Sequence, residues 1–239
     1  DEWNDLSEEF ANESLEITKK QVAELKSFDR SKLDQASALS YDLLVQSMEQ
    51  EIKDNKWRLY NYPVNQMFGR HSDVVSLLIN QHRIDNIEDA KNYIARLNAV
   101  PTLFDQLIAN IEARTAANII PPKFVFPHVI RDGKNIIKGA PFDDGEPSAL
   151  LADFTKKLTA LSKKEHKEEN KIEGSHLTDS NKVMLIDAAT LALSNSVKPA
   201  YQKLVAHLIE LETKATTDDG IWKWKDGDDF YNVALKRTT

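Results

Sequence analysis

Apolar residues return every three or four positions through most of this 239-residue chain, which is the period of an α-helix and not the alternation of a strand. Leu150, Leu151, Phe154, Leu158 and Leu161, for example, fall on one stripe of a helix. Only seven glycines interrupt the pattern, so tightly turned sheets would lack their usual turn residues. The expected fold class is all-α, a multi-helix array of long amphipathic helices with proline-marked joints.

The first helix is expected from Trp3 to Leu25, with Phe10, Ile17 and Val22 on its apolar side. Ser31 can cap a second, whose buried face would be Leu33, Ala36, Leu39, Leu43, Leu44, Met48 and Ile52, giving a long helical hairpin. Between Tyr60 and Gly69 the period fails and an ordered loop is expected, before Asp73 and the run Val74–Ile79 resume a helix. Asn86 and Asp89 mark the next helix start, and Pro101 should divide Ala90–Leu97 from a following helix carrying Leu103, Phe104, Leu107, Ile108 and Ile111. Pro121–Gly139 fits a helix better than a hairpin. Asp143–Pro147 reads as a loop and as a boundary between an N-terminal subdomain (1–142) and a C-terminal one (148–239). Beyond the charged tract Lys163–Glu173, a helix from about Asp179 to Thr213 should bend at Pro199, and an aromatic turn, Gly220–Gly227, should lead into a last short helix.

Composition narrows the partners. A formal charge of −7 argues against unspecific attraction to nucleic-acid phosphates or anionic lipid. With no cysteine there can be no disulfide, thiolate zinc site or cysteine nucleophile. The longest apolar runs fall far short of the roughly 20 residues of a membrane span. The chain begins at Asp1 without Met, which suggests that a targeting segment has been removed.

Catalytic motifs are lacking. The glycines do not cluster as a phosphate loop requires, none of the six histidines stands in His-Glu-x-x-His, and Gly-x-Ser-x-Gly does not occur. His166 with Glu169 and His207 with Glu210 share helix faces as metal-ligand pairs can. Lysines around His166 repel a cation, however, and His207 lies beside a buried stripe, so both read as ordinary helix residues. Trp222, Trp224, Phe230 and Tyr231 could stack on a ligand, or dock the last segment onto the core. Asn65, Gly69, Arg70 and His71 form a polar turn that could face a cleft, or stabilise its own loop.

Several segments together, in order, resemble the N-terminal half of a bacterial family known as domain of unknown function 885. They are Pro63-Val-Asn-Gln-Met-Phe-Gly69, Ile87-Glu-Asp-Ala-Lys-Asn-Tyr-Ile-Ala-Arg-Leu97 with Pro101, Ile120-Pro-Pro122, Val197-Lys-Pro-Ala-Tyr201, and Gly220 through Tyr231 into Thr238-Thr239. The resemblance implies a helical protein of about twice this length, often exported and sometimes a lipoprotein. Its other half would carry a His-Glu-x-x-Pro-Gly-His motif, in which two histidines hold Zn²⁺ and the glutamate activates water. The family commonly has Tyr-Tyr where this chain has Phe230-Tyr231, and often Pro where it has Lys225. The chain breaks off at Thr239 in a stretch that the family continues, which suggests a truncation.

On this reading the chain is the non-catalytic half of a zinc-dependent peptidase- or carboxypeptidase-like hydrolase, serving as scaffold and as one wall of the substrate cleft. No catalytic residue and no metal ligand is expected here, and the fragment alone should be inactive. Asn65, Tyr201 and Tyr231 are the candidate substrate-facing residues. The implied cofactor is zinc, held by the absent half. The implied partners are that half and a peptide substrate, with no nucleic acid and no membrane span, in a periplasmic or lipid-anchored setting. The alternative is a non-enzymatic helical interaction module of the cell envelope.

Overall fold

The structure is a computed structural model that describes residues 2–165 and 177–238, and within them every regular element is a helix. Most of the tract Lys163–Glu173, with the His166–Glu169 pair, lies outside the described residues. The chain forms two compact units, and neither is continuous in sequence. The first comprises Asp1–Asn4, Tyr62–Ile111 and Ile120–Asp219; the second comprises Asp5–Asn61, Glu112–Ile119 and Gly220–Thr239.

The expected boundary at 143–147 therefore falls inside the first unit. Helices α5 (Val125–Ile136) and α8 (Lys198–Glu212), one from either side of it, pack against each other. A turn-rich sequence marks a loop, but a domain boundary also requires that few contacts cross it. Here Gly133 of α5 lets the helices close: a β-carbon there would stand 2.9 Å from a Val205 methyl group. The loop itself is tied down by Asp143, whose carboxylate accepts the amides of Gly139 and Gly145 at 3.0 and 2.8 Å. Those two amides hold its carboxyl below the usual range.

The first unit also contains α3 (Arg70–Ser76), most of α4 (Ile87–Ala116), α6 (Ala149–Glu165) and α7 (Asp179–Ala192). The Asn86 side chain accepts the Asp89 amide at 2.9 Å, as a helix start requires. Pro101 does not divide α4, contrary to expectation, and the helix runs through it for 30 residues. A proline removes one amide hydrogen and crowds the preceding turn. Tyr93 and Leu97 before it, and Phe104 and Leu107 after it, are all fully buried, and this continuous stripe holds the helix together. The helix expected over Asp179–Thr213 is present but interrupted: a π-helical turn, Leu193–Val197, joins α7 to α8. The Lys198 amide reaches back to the Leu193 carbonyl, so the wide turn closes at the residue before Pro199.

The second unit is a hairpin of α1 (Glu8–Ser27) and α2 (Gln35–Asp54), completed by α9 (Gly227–Thr238). Helix α1 starts later than expected because the Ser7 hydroxyl accepts the Phe10 amide and caps it there. Asp34, not Ser31, caps α2, and Ser31 instead lies in a short 3-10 turn capped by Asp29. The face expected to be buried on α2 is also wrong. Leu33, Leu39, Leu43 and Leu44 are exposed, while Met48 and Ile52 are half-buried.

The first unit also holds charged and polar groups among its packed helices. A second π-helical turn, Leu77–Gln81, follows α3, and its wide winding leaves carbonyls in need of donors. The Lys157 ammonium of α6 donates to the Leu78 and Ile79 carbonyls at 2.7 and 2.9 Å. It also pairs with Asp153, one turn back, at 2.7 Å. The Tyr93 phenol lies beside the same carboxylate; burial, then that charge, raise its pKa and keep it protonated. Nearby, His82 Nε2 donates to the Asp89 carbonyl at 2.9 Å while its Nδ1 accepts from Arg96. Since a guanidinium can only donate, this imidazole is neutral.

Two outcomes follow for stability. Lys157→Met should cost about 2–3 kcal/mol in urea unfolding, because it strands a carboxylate and two carbonyls. Adding Asp153→Leu should recover part of that loss, and additive costs would show that the pair is not coupled. Burial lowers the pKa of both His71 and His82, so below the unfolded histidine value of about 6.5 the unfolded chain binds more protons. Their contribution is full above that pH and is lost as pH falls through it toward the folded values. The slope is at most about 1.4 kcal/mol per pH unit per histidine. His82→Gln should reduce this slope in unfolding curves measured between pH 5 and about 7, and an unchanged slope would contradict the assignment.

Candidate functional site

The loop before α3 is built to hold its tip still. The Asn65 side-chain oxygen accepts the amides of Met67 and Phe68 at 2.8 and 3.1 Å, and the Asn65 amide donates to the Phe68 carbonyl at 3.0 Å. An antiparallel bridge between Val64 and Gly69 closes the loop. Gly69 has φ +146°, and a β-carbon there would stand 2.8 Å from the Pro63 carbonyl oxygen, so no other residue fits. The result is a rigid turn that presents Met67 (79% exposed) and Phe68 (62% exposed) to solvent.

Beneath that turn the Nδ1 atom of His71 is buried without a hydrogen-bond partner among the described residues. A β-carbon on Gly69 would also lie 3.0 Å from His71 Nδ1, which places this buried imidazole directly under the loop. The Tyr201 hydroxyl donates to the His71 carbonyl at 2.5 Å, and its ring meets Phe104 edge-on at 4.8 Å. Tyr201 is fully enclosed; burial, then the charge of Asp73, raise its pKa and keep it protonated. The structure thus links Asn65 and Tyr201 through Gly69 and His71. It places Tyr201 in the core, not at a cleft, and it gives the Asn65 oxygen to backbone amides.

Tyr231 belongs to the second unit and is 53% exposed on α9. Its neighbour Phe230 turns inward, with ring centroids 5.8, 5.3 and 5.5 Å from Trp57, Tyr60 and Trp224. The Tyr60 hydroxyl reaches Asp226 at 3.3 Å. The aromatic segment thus divides: Trp224 and Phe230 dock, whereas Trp222, folded over Gly220, and Tyr231 face solvent.

Among the described residues, no three His, Cys, Asp or Glu side chains come together as a metal ion would require. Of the pair His207 and Glu210, the carboxylate is engaged by Lys214 at 3.0 Å, and that contact holds its pKa below the usual range. The Tyr93–Asp153–Lys157 cluster escaped the sequence reading, although a signal was present. Asp153 and Lys157 stand beside Phe154 and Leu158, where a carboxylate and an ammonium one turn apart must enter the core together.

The helical arrangement has a counterpart among solved structures. One, described as a "putative lipoprotein" from Colwellia psychrerythraea, superposes with a TM-score of 0.75 at 21% sequence identity. The match covers 94% of this chain and 36% of that chain, so this chain spans about a third of the length of the protein it resembles. At that identity the likeness establishes the fold alone. No curated protein matches. The family model described as "Bacterial protein of unknown function (DUF885)" matches residues 1–239, the entire chain. The chain belongs to the DUF885 family of bacterial proteins.

Proposed function

We propose that this chain is the scaffold half of a larger zinc-dependent hydrolase of the peptidase or carboxypeptidase type, and that it forms one wall of a peptide-binding cleft. In this reading, polypeptide outside the chain carries the zinc and the reacting water. The observation that carries it is the length relation: nearly all of this chain corresponds to only 36% of the Colwellia protein. Tyr201, Lys157 and Asn65 each bond within the fold, which agrees with a scaffold role for these three side chains. Each unit taken by itself offers a ligand apolar and aromatic surface: Met67 and Phe68 on a closed turn in the first, Trp222 and Tyr231 in the second. Such side chains suit a peptide better than a small polar substrate. We place the protein outside the cytoplasm, either periplasmic or lipid-anchored. The description of the Colwellia protein as a lipoprotein supports that location, and no helix among the described residues is long and apolar enough to cross a membrane.

The exposed Met67–Phe68 turn equally favours a second reading, a non-enzymatic interaction module of the cell envelope. Metal analysis decides between them. The 239-residue chain should hold no stoichiometric zinc and cleave no peptide, whereas a longer chain that continues past Thr239 should hold roughly one zinc per molecule. Zinc-dependent cleavage by the 239-residue chain alone would defeat the scaffold reading. A longer chain without zinc would leave the interaction module.

The candidate residues separate in a binding assay with peptide and the longer chain. Tyr231→Ala should weaken peptide binding several-fold at unchanged helicity and melting temperature. Tyr201→Phe should cost about 1–2 kcal/mol of stability, since it leaves a buried carbonyl without its donor, and Asn65→Ala about 1 kcal/mol. A Tyr231→Ala variant that melts early would mark this residue as structural instead.

A further inference from the structure

We infer that the outward faces of α1 and α2 are the seat of further polypeptide from the same longer chain, packing there as an amphipathic helix or helices. This rests on the proposal that the chain is part of a larger protein, but not on that protein's being a hydrolase.

The second unit is short of core. Among its described residues only Val22, Trp57, Ile119 and Trp224 are buried apolar side chains, whereas α4, α6 and α8 of the first unit are each buried along a full stripe. Ion pairs on the surface tie its hairpin instead: Lys26 to Glu49, and Arg30 to Asp42 through two nitrogens. Meanwhile the hairpin leaves large apolar side chains in water. Leu39 (59% exposed) and Leu43 (57%) stand one turn apart on α2, next to Leu44 (48%). Phe10 and Ile17, each 46% exposed, stand two turns apart on α1, and Phe28 (60%) ends that helix. Positions four and seven apart share a helix face. Helix α2 therefore carries two apolar stripes: an inward one, where Tyr41, Val45 and Met48 are half-buried, and an outward one, Leu39 and Leu43, that no described residue covers. A helix that meets water on its far side carries polar residues there. A row of large apolar side chains left open along a helix marks a contact surface.

The occupant follows from the length relation. The match leaves 64% of the Colwellia chain unaccounted for, so a longer chain of this fold holds ample polypeptide to cover a two-helix face. Two antiparallel helices with an open apolar side accept one or two further helices, as in a bundle. A covalently attached segment needs no second encounter to find that face, because it is present at high effective concentration.

Hydrogen exchange compared between the 239-residue chain and a longer chain continuing past Thr239 tests the inference. In the longer chain the amides of α1 and α2 should exchange at least about tenfold more slowly, with those of α8 unchanged. The double variant Leu39→Asp/Leu43→Asp should abolish this protection in the longer chain, yet leave the helicity and melting temperature of the 239-residue chain as they were. Unchanged exchange on α1 and α2 would overturn the inference. So would a concentration-dependent doubling of mass in sedimentation of the 239-residue chain that the double variant prevents, because the occupant would then be a second copy. Zinc content reports separately: protection without zinc would sink the hydrolase reading and keep the docking face, and zinc without protection the reverse.

Discussion

The Lys157 side chain is only 20% exposed, and satisfying its ammonium group ties together three helices of the first unit. Its partners are the carbonyls of Leu78 and Ile79 in the π turn after α3, and the Asp153 carboxylate on its own helix. Asp153 in turn lies beside the phenol of Tyr93 on α4. One cation thereby joins three helices. An apolar contact would tolerate sliding by a fraction of a turn, whereas a partly buried charge with directed partners does not. The π turn and the lysine explain each other, since each alone would leave unpaired polar groups in the core. Tyr201 repeats the device on a smaller scale, pinning α8 to the first residues of α3 through the His71 carbonyl.

How much of this was legible depends on whether the deciding interaction is local. The stripes of α4, α6 and α8 could be read because burial there follows the helical period, and the Asn86 cap could be read because it acts three residues ahead. Proline misled in α4, where burial on both sides of Pro101 outweighs a missing hydrogen bond. The capacity of Lys157 to serve α3 could not be read, because its partners lie almost eighty residues away. The subdomain boundary failed for the same reason: it depends on how α5 meets α8, which no local pattern states. Among the candidate residues, Asn65 has a role in its own loop that its identity suggests. For Tyr201 the sequence offered a phenol, and only the packing around it shows that the phenol is enclosed.

The two units differ in how complete they are. The first has a core in layers: Tyr93 against Phe154, Phe104 against Tyr201, and α5 closing on α8 at Gly133. The second relies on an aromatic knot of Trp57, Tyr60, Trp224 and Phe230, on Arg114 holding the Asn61 side chain and the Arg58 carbonyl, and on surface ion pairs. Exposed ion pairs add little, because solvent screens them. A unit with so few buried side chains lies near the lower limit of what can stand alone. Its open leucines are then less an imperfection of the hairpin than half of an interface.

Adjacent Phe230 and Tyr231 on α9 show this division of labour at the scale of two residues. Successive residues of a helix point about 100° apart, so the two rings of such a pair cannot serve the same surface. In this chain the first ring packs among Trp57, Tyr60 and Trp224, an environment of ring edges and faces in which a phenyl group is at home. The second stands in solvent with its hydroxyl available. The ring without a hydroxyl is therefore the one that packs, and the ring with one is the ring that stands in solvent. The aromatic knot thus fixes the inward face of α9, while the outward face keeps an exposed phenol.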